Sequence, residues 1–160
     1  MKQQTLILSL ALIASLAVAQ NTHLSLDLSK APAEKVGVKA LVGDDLHVSV
    51  NGNPTTGYRW QHAMEISNAP GVKILEQTYV SNNDLVNGER LSGVGGVFKF
   101  TYGFETAGPK SIELVYAQPW TVNKFQNANG AIDWDNFFAQ NDGTYQRKTV
   151  MVQALQPAFL

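Results

Sequence analysis

Alternation of apolar and polar positions runs through most of the chain. Leu46, Val48 and Val50 fall two apart, as do Tyr58 and Trp60, and then Ile112, Leu114 and Tyr116. Val97-Phe98-Lys99-Phe100-Thr101-Tyr102 continues the theme, and Thr149-Val150-Met151-Val152 supplies a last apolar run. A period of two bounded by Gly, Pro and Asn is the mark of half-buried strands. The pattern predicts strands over His23–Leu28, Lys35–Ala40, Leu46–Val50, Gly57–His62, Val72–Tyr79, Val97–Phe104, Lys110–Ala117 and Arg147–Leu155. Short strands at this spacing, with turn residues between them, indicate an all-β sandwich or barrel. No internal repeat is visible, and no linker divides the chain.

Two stretches depart from the alternation. Met1 to Ala19 reads as a secretory signal: Lys2 supplies a positive start, Thr5 to Val18 carries no charge, and Ala17-Val18-Ala19 gives a small-x-small cleavage site. That apolar run is shorter than the roughly 20 residues of a membrane span. Residues 20–160 are therefore expected to form one domain with no membrane anchor. The second departure is Asn123–Gln146, 24 residues of which eight are Asn or Gln. Inside it Trp134, Phe137 and Phe138 stand at i, i+3 and i+4 on one helical face, with Asp133 placed to cap the helix start. The expectation is an ordered excursion with one short helix, packed on the sandwich before the last strand.

Composition sharpens this picture by exclusion. Of 160 residues, 44% are hydrophobic and only 16% charged, with a formal net charge of −1. Without the leader, 141 residues remain, with 11 basic and 13 acidic side chains. Such a balance offers no basic field for nucleic acid or an anionic membrane. The chain has no Cys, which removes disulfides, thiolate metal sites and a cysteine nucleophile together. An exported domain of this size can rest on a hydrophobic core alone.

Catalytic readings find little to stand on. The three histidines, His23, His47 and His62, lie far apart in sequence, and none belongs to an HExxH pair. Asp133-Trp134-Asp135 lacks the register of a cation loop. Asp44 and Asp45 are expected as a solvated turn pair. There is no GxSxG elbow and no phosphate loop. No metal or cofactor is expected.

What remains lies in three turns. Asn53-Pro54-Thr55-Thr56-Gly57 joins two strands. Pro54 fixes its own φ and pushes Asn53 toward extended geometry, Gly57 permits a positive φ, and the threonines are stiff at χ1. A rigid loop with hydroxyls and backbone amides at its tip is expected. Gly93-Val94-Gly95-Gly96 lacks bulk at three of four positions, which suits a close backbone approach or a bulge. Gln118-Pro119-Trp120 ends a strand, its Trp either covering the core or standing out as an anchor.

These turns carry a resemblance. Asn53 to Tyr58, NPTTGY, resembles the first loop motif of the chagasin-like inhibitors of cysteine peptidases. Gly93 to Gly96 is similar to their second motif, GxGG, and Pro119-Trp120 to the end of their third, and the three occur in the family's order. The resemblance implies an immunoglobulin-like β-sandwich with three inhibitory loops at one end, which together occlude the active-site cleft of a papain-family cysteine peptidase. By motif, Asn53, Pro54, Thr55, Thr56 and Gly57 would face the catalytic Cys–His pair, with Thr55 nearest the cysteine. Gly93, Val94, Gly95 and Gly96, together with Leu91, would run along the unprimed side, and Pro119 and Trp120 would pack on the primed side.

Two departures from the family pattern bear on that implication. Gln118 stands where the family usually carries Arg, removing a charge and a forked donor. The Asn123–Gln146 excursion is also longer than the family's usual connection. The expected protein is a reversible, competitive inhibitor acting as a monomer in a secreted, lumenal or periplasmic setting. The alternative is a secreted immunoglobulin-like module that binds another protein or a glycan through the same loop end.

Overall fold

The eight alternating segments become strands in the computed structural model, which describes residues 22–82, 85–86, 89–90 and 93–158, and two short strands join them. They are β1 (His23–Asp27), β2 (Lys35–Leu41), β3 (Asp45–Gly52), β4 (Arg59–His62), β5 (Val72–Ser81), β6 (Leu85–Val86), β7 (Glu89–Arg90), β8 (Gly96–Phe104), β9 (Gly108–Ala117) and β10 (Gln146–Leu155). Two α-helices follow β9: α1 (Pro119–Val122) and α2 (Trp134–Gln140). The leader Met1–Ala19 lies outside the described residues, and so does Leu91.

Two four-stranded sheets form, in the orders β1-β3-β8-β5 and β2-β10-β9-β4, and β6 and β7 pair as a short hairpin. Within the two sheets, β1 runs parallel to β3 and β2 parallel to β10, while the other pairs are antiparallel. Register follows side-chain alternation. Val48 faces Phe100 across β3 and β8, and Val150 faces Ile112 across β10 and β9. The apolar sides of both sheets therefore meet in one core that includes Leu46, Val48, Trp60, Phe100, Tyr102, Ile112, Leu114 and Val150. Fully burying each large apolar side chain stabilises by about 1.5–3 kcal/mol, which accounts for a fold without disulfides. This is an immunoglobulin-like β-sandwich, as expected.

Strand β9 departs from simple alternation, being buried continuously from Ile112 to Val115. Its inward residues join the sandwich core, while Val115 and Ala117 on the other side join a second cluster with Ala63, Val122, Trp134 and Phe137. The Asn123–Gln146 excursion supplies much of that cluster, so it packs on the outer face of the second sheet. Its helix begins where the aromatic spacing places it. Asp133 caps α2 by accepting from the Asn136 amide at 3.0 Å.

Two expectations need correction. Asp44 is buried rather than solvated. Its carboxylate accepts from the backbone N–H groups of Thr22 at 3.0 Å and Leu41 at 2.7 Å, because strand ends leave amides that need acceptors. The strand expected from Gly57 starts only at Arg59. Gly57 instead closes a turn in the left-handed region, at φ +83°.

Candidate functional site

Residues 53–57 form a short 3-10 turn that bonds largely to itself. Asn53 is extended (φ −128°, ψ 94°), as the following proline requires, and Pro54 opens the turn. The Asn53 side chain accepts from the Thr55 amide at 3.2 Å and from the Thr55 hydroxyl at 2.6 Å. The Asn53 carbonyl accepts from the Thr56 amide at 3.2 Å and the Thr56 hydroxyl at 2.6 Å, and the Gly57 amide donates to Pro54. This corrects one expectation: amides and hydroxyl protons are used inside the loop rather than offered at its tip. Both threonines remain exposed, so the tip presents their methyl groups and the free lone pairs of their oxygens.

A residue absent from the motif reading anchors this turn. The Tyr116 hydroxyl on β9 accepts from the Asn53 amide at 2.8 Å and donates to the Asn53 carbonyl at 3.3 Å. Its ring stands between Tyr58 and Trp60, with centroids 5.4 and 5.2 Å away. The only sequence signal for this role is that Tyr116 shares the inward alternation of Ile112 and Leu114.

Asn53 also reaches the second loop, its side-chain amide donating to the Gly93 carbonyl at 3.0 Å. The glycines there have separate reasons. Gly93 sits at φ +83° in open space. A Cβ on Gly95 would come within 3.0 Å of the Gly52 carbonyl, and one on Gly96 within 2.3 Å of the Val80 carbonyl. Close backbone approach, one of the two options for this stretch, is thus what Gly95 and Gly96 permit. Val94, between Gly93 and Gly95, is half-buried.

The third segment is not a plain turn. Gln118 precedes α1, Pro119 occupies its first turn, and the amides of Thr121 and Val122 bond back to the Gln118 carbonyl. Trp120 is 56% exposed, so it stands out rather than covering the core. Its indole lies against Gly57, where an added Cβ would fall 2.2 Å from Cη2. Gly57 therefore serves twice, adopting a left-handed turn and leaving room for the Trp120 ring.

Contacts through Asn53 and Gly57 bring all three segments to one end of the sandwich. Residues 53–58, 93–96 and 118–120 carry no ionisable side chain except the Tyr58 phenol. Among the described residues, none of the best-formed surface hollows is lined by Asn53–Gly57, Gly93–Gly96, Pro119 or Trp120. The end is a neutral projection, suited to filling a cleft in something else. Among the described residues, no group of three or more His, Asp or Glu is placed to hold a metal ion.

Against known proteins, a family model described as the chagasin family peptidase inhibitor I42 matches residues 39–132, well over half of the chain. The chain belongs to the chagasin family of peptidase inhibitors. Chagasin of Trypanosoma cruzi is 29% identical over 80 residues, covering 50% of this chain and 70% of that protein. The crystal structure of the cysteine protease inhibitor EhICP2 from Entamoeba histolytica superposes with a TM-score of 0.52 at 13% identity, over 83% of this chain and 95% of that one. The solution structure of amebosin gives 0.53 at 24% identity, over 84% and 100% respectively. At these identities the two structures speak to the fold, which they share with this member of the chagasin family. The family is one of inhibitors and not of enzymes. Its matched span contains all three loop segments and ends just before α2, so the second half of the excursion and β10 lie beyond it.

Proposed function

We propose that this chagasin-family member inhibits papain-like cysteine peptidases reversibly and competitively, by seating its three loops in the active-site cleft. The observation that carries the reading is the interlocked, neutral projection at one end of the sandwich. Asn53–Gly57 is held by its own hydrogen bonds and by Tyr116, Gly93 is tied to it, and Trp120 abuts it. Loops already fixed lose little conformational entropy on docking, so more of the contact energy becomes affinity. A protease–inhibitor contact of about 1,600 Å² in total suits three loop tips.

In this reading Thr55 lies nearest the peptidase cysteine, with Asn53, Pro54, Thr56 and Gly57 around it. Gly93–Gly96 and Leu91 follow the unprimed side, and Pro119 and Trp120 pack on the primed side with Gln118 behind them. The inhibitor works as a monomer and needs no thiol of its own. Residues 20–160 act as a single domain behind a cleaved leader, in an extracellular, lumenal or periplasmic setting. Among the described residues no helix is long and apolar enough to cross a membrane.

Substitution at the loop tip tests the assignment. Thr55→Arg places a long charged side chain where the catalytic pair would be met, on an exposed residue whose replacement spares the core. Papain inhibition should fall by at least about a hundredfold, in the range of interface hot spots, with the thermal unfolding midpoint little changed. Inhibition that survives Thr55→Arg in a folded protein would remove the central loop from the contact.

A further inference from the structure

The third loop poses a mechanical problem that the motif residues do not solve. Helix α1 has four residues, far below the length at which a helix holds itself in water. Gln118 at its start makes no side-chain cap. Trp120 meets the first loop through the Cη2 edge of its indole, which lies against Gly57. Something else must hold the turn that displays it.

That support lies on the opposite side of α1. Val122 is 1% exposed and belongs to the second apolar cluster with Val115, Ala117, Trp134 and Phe137. A 3-10 turn, Asn123–Phe125, continues directly from α1, and Phe125 packs edge-on against Phe137 at 5.5 Å. The Asp133 amide donates to the Phe125 carbonyl at 2.9 Å, tying this turn to the start of α2. Glu65, after β4, fastens the excursion to the sandwich. Its two carboxylate oxygens accept from the Ile132 amide at 3.0 Å and the Trp134 indole N–H at 2.6 Å.

Resting on the inhibitory reading above, we propose that the 126–146 excursion is the brace that positions Trp120 for peptidase binding, with Glu65 as its latch to the sandwich. Glu65 and Phe137 are then positioning residues that touch no peptidase and act through α1. A rival role is available to the excursion, that of merely covering Val115 and Ala117 on the sheet's outer face. Coupling to Trp120 separates the two, because a cover would stabilise the protein without caring which residue stands at 120.

The test is a double-mutant cycle on the full mature chain, joined to amide hydrogen exchange. Glu65→Ala should weaken papain inhibition about tenfold when Trp120 is present and by less than about twofold in the Trp120→Ala background, a coupling usual for groups in one network. Glu65→Gln keeps one acceptor oxygen and should recover part of the loss. Exchange at residues 120–125 should quicken in Glu65→Ala, while exchange in β3 and β8 stays as in the parent. Equal weakening in both backgrounds overturns the brace, and so does unchanged exchange at 120–125 once the excursion is loosened. If the parent protein fails to inhibit papain, the functional reading fails, while the exchange arm still decides whether Glu65 holds α1.

Discussion

The first and third loops meet at Gly57 but are held in opposite ways. Asn53–Gly57 is stiff from within: one asparagine, one proline and two hydroxyls close the turn over five residues, and Tyr116 and the Gly93 carbonyl add ties from outside through Asn53. Trp120 is stiff only from behind, through Val122, Phe125 and an aromatic cluster whose members lie up to about twenty residues further on in sequence. A locally bonded loop keeps its shape when the rest of the fold changes. A loop held by packing inherits the stability of whatever packs on it. The proposed contact surface thus draws on two sources of order, and each can be broken separately.

Gly57→Ala strikes both at once and should have the largest effect. A non-glycine residue forced to φ +83° costs about 1–3 kcal/mol, and its Cβ would collide with the Trp120 indole. We expect the inhibition constant to rise about a hundredfold, with a perturbed Trp120 indole resonance in the nuclear magnetic resonance spectrum. An unchanged resonance would mean that the two loops are not in register through this contact. Tyr116→Phe breaks only the first loop. It removes both hydroxyl contacts to Asn53 at an expected cost of about 1 kcal/mol, a roughly fivefold loss of affinity. Exchange at α1 should not follow, and if it does, the two supports are less separate than described.

The smallest effect is on pH dependence, and it divides the sandwich from the brace. Burial pushes the His62 imidazole below its ordinary value, against the opposing pull of Glu65 and Glu113. A depressed histidine gives stability that is full above its unfolded value, about 6.5, and is lost as pH falls toward the folded one. Burial pulls the Glu65 carboxyl upward, but hydrogen bonds from the Ile132 amide and the Trp134 indole outweigh it and leave it below its ordinary value. Its contribution is full above about pH 4.3 and fades only below that. From pH 7 to 5, global stability should therefore decline, the decline should shrink in His62→Gln, and exchange protection in α2 relative to β8 should be retained. A pH-independent unfolding midpoint in the parent over that range would contradict this assignment of His62.

What the sequence made legible follows the same division. All eight strands expected from alternation are present, with ends shifted by a few residues, because a period of two is a local property of the chain. The geometry of Asn53-Pro54 and the positive φ at Gly57 are local too. Helix α1 was not legible as a helix: Pro119 after a strand reads as a turn, and its helical form depends on Val122 meeting Trp134 and Phe137. Nor was the burial of Asp44, whose amide partner at Thr22 lies 22 residues earlier in the chain, or the latch at Glu65, nearly seventy residues from Trp134. The hydroxyls of Thr55 and Thr56 read as outward groups because nothing in their identity shows that Asn53 turns back to take their protons. Gln118 in place of arginine looked like a plain loss, whereas in the structure packing supports the segment it begins.

The central claim, that one end of this sandwich closes a peptidase cleft, is tested most directly by steady-state inhibition of papain by residues 20–160 at several substrate concentrations. The account predicts submicromolar inhibition that substrate relieves, leaving the maximal rate unchanged, with full activity returning on dilution. No inhibition of papain or cathepsin L at micromolar inhibitor, or inhibition that saturating substrate cannot relieve, would contradict it.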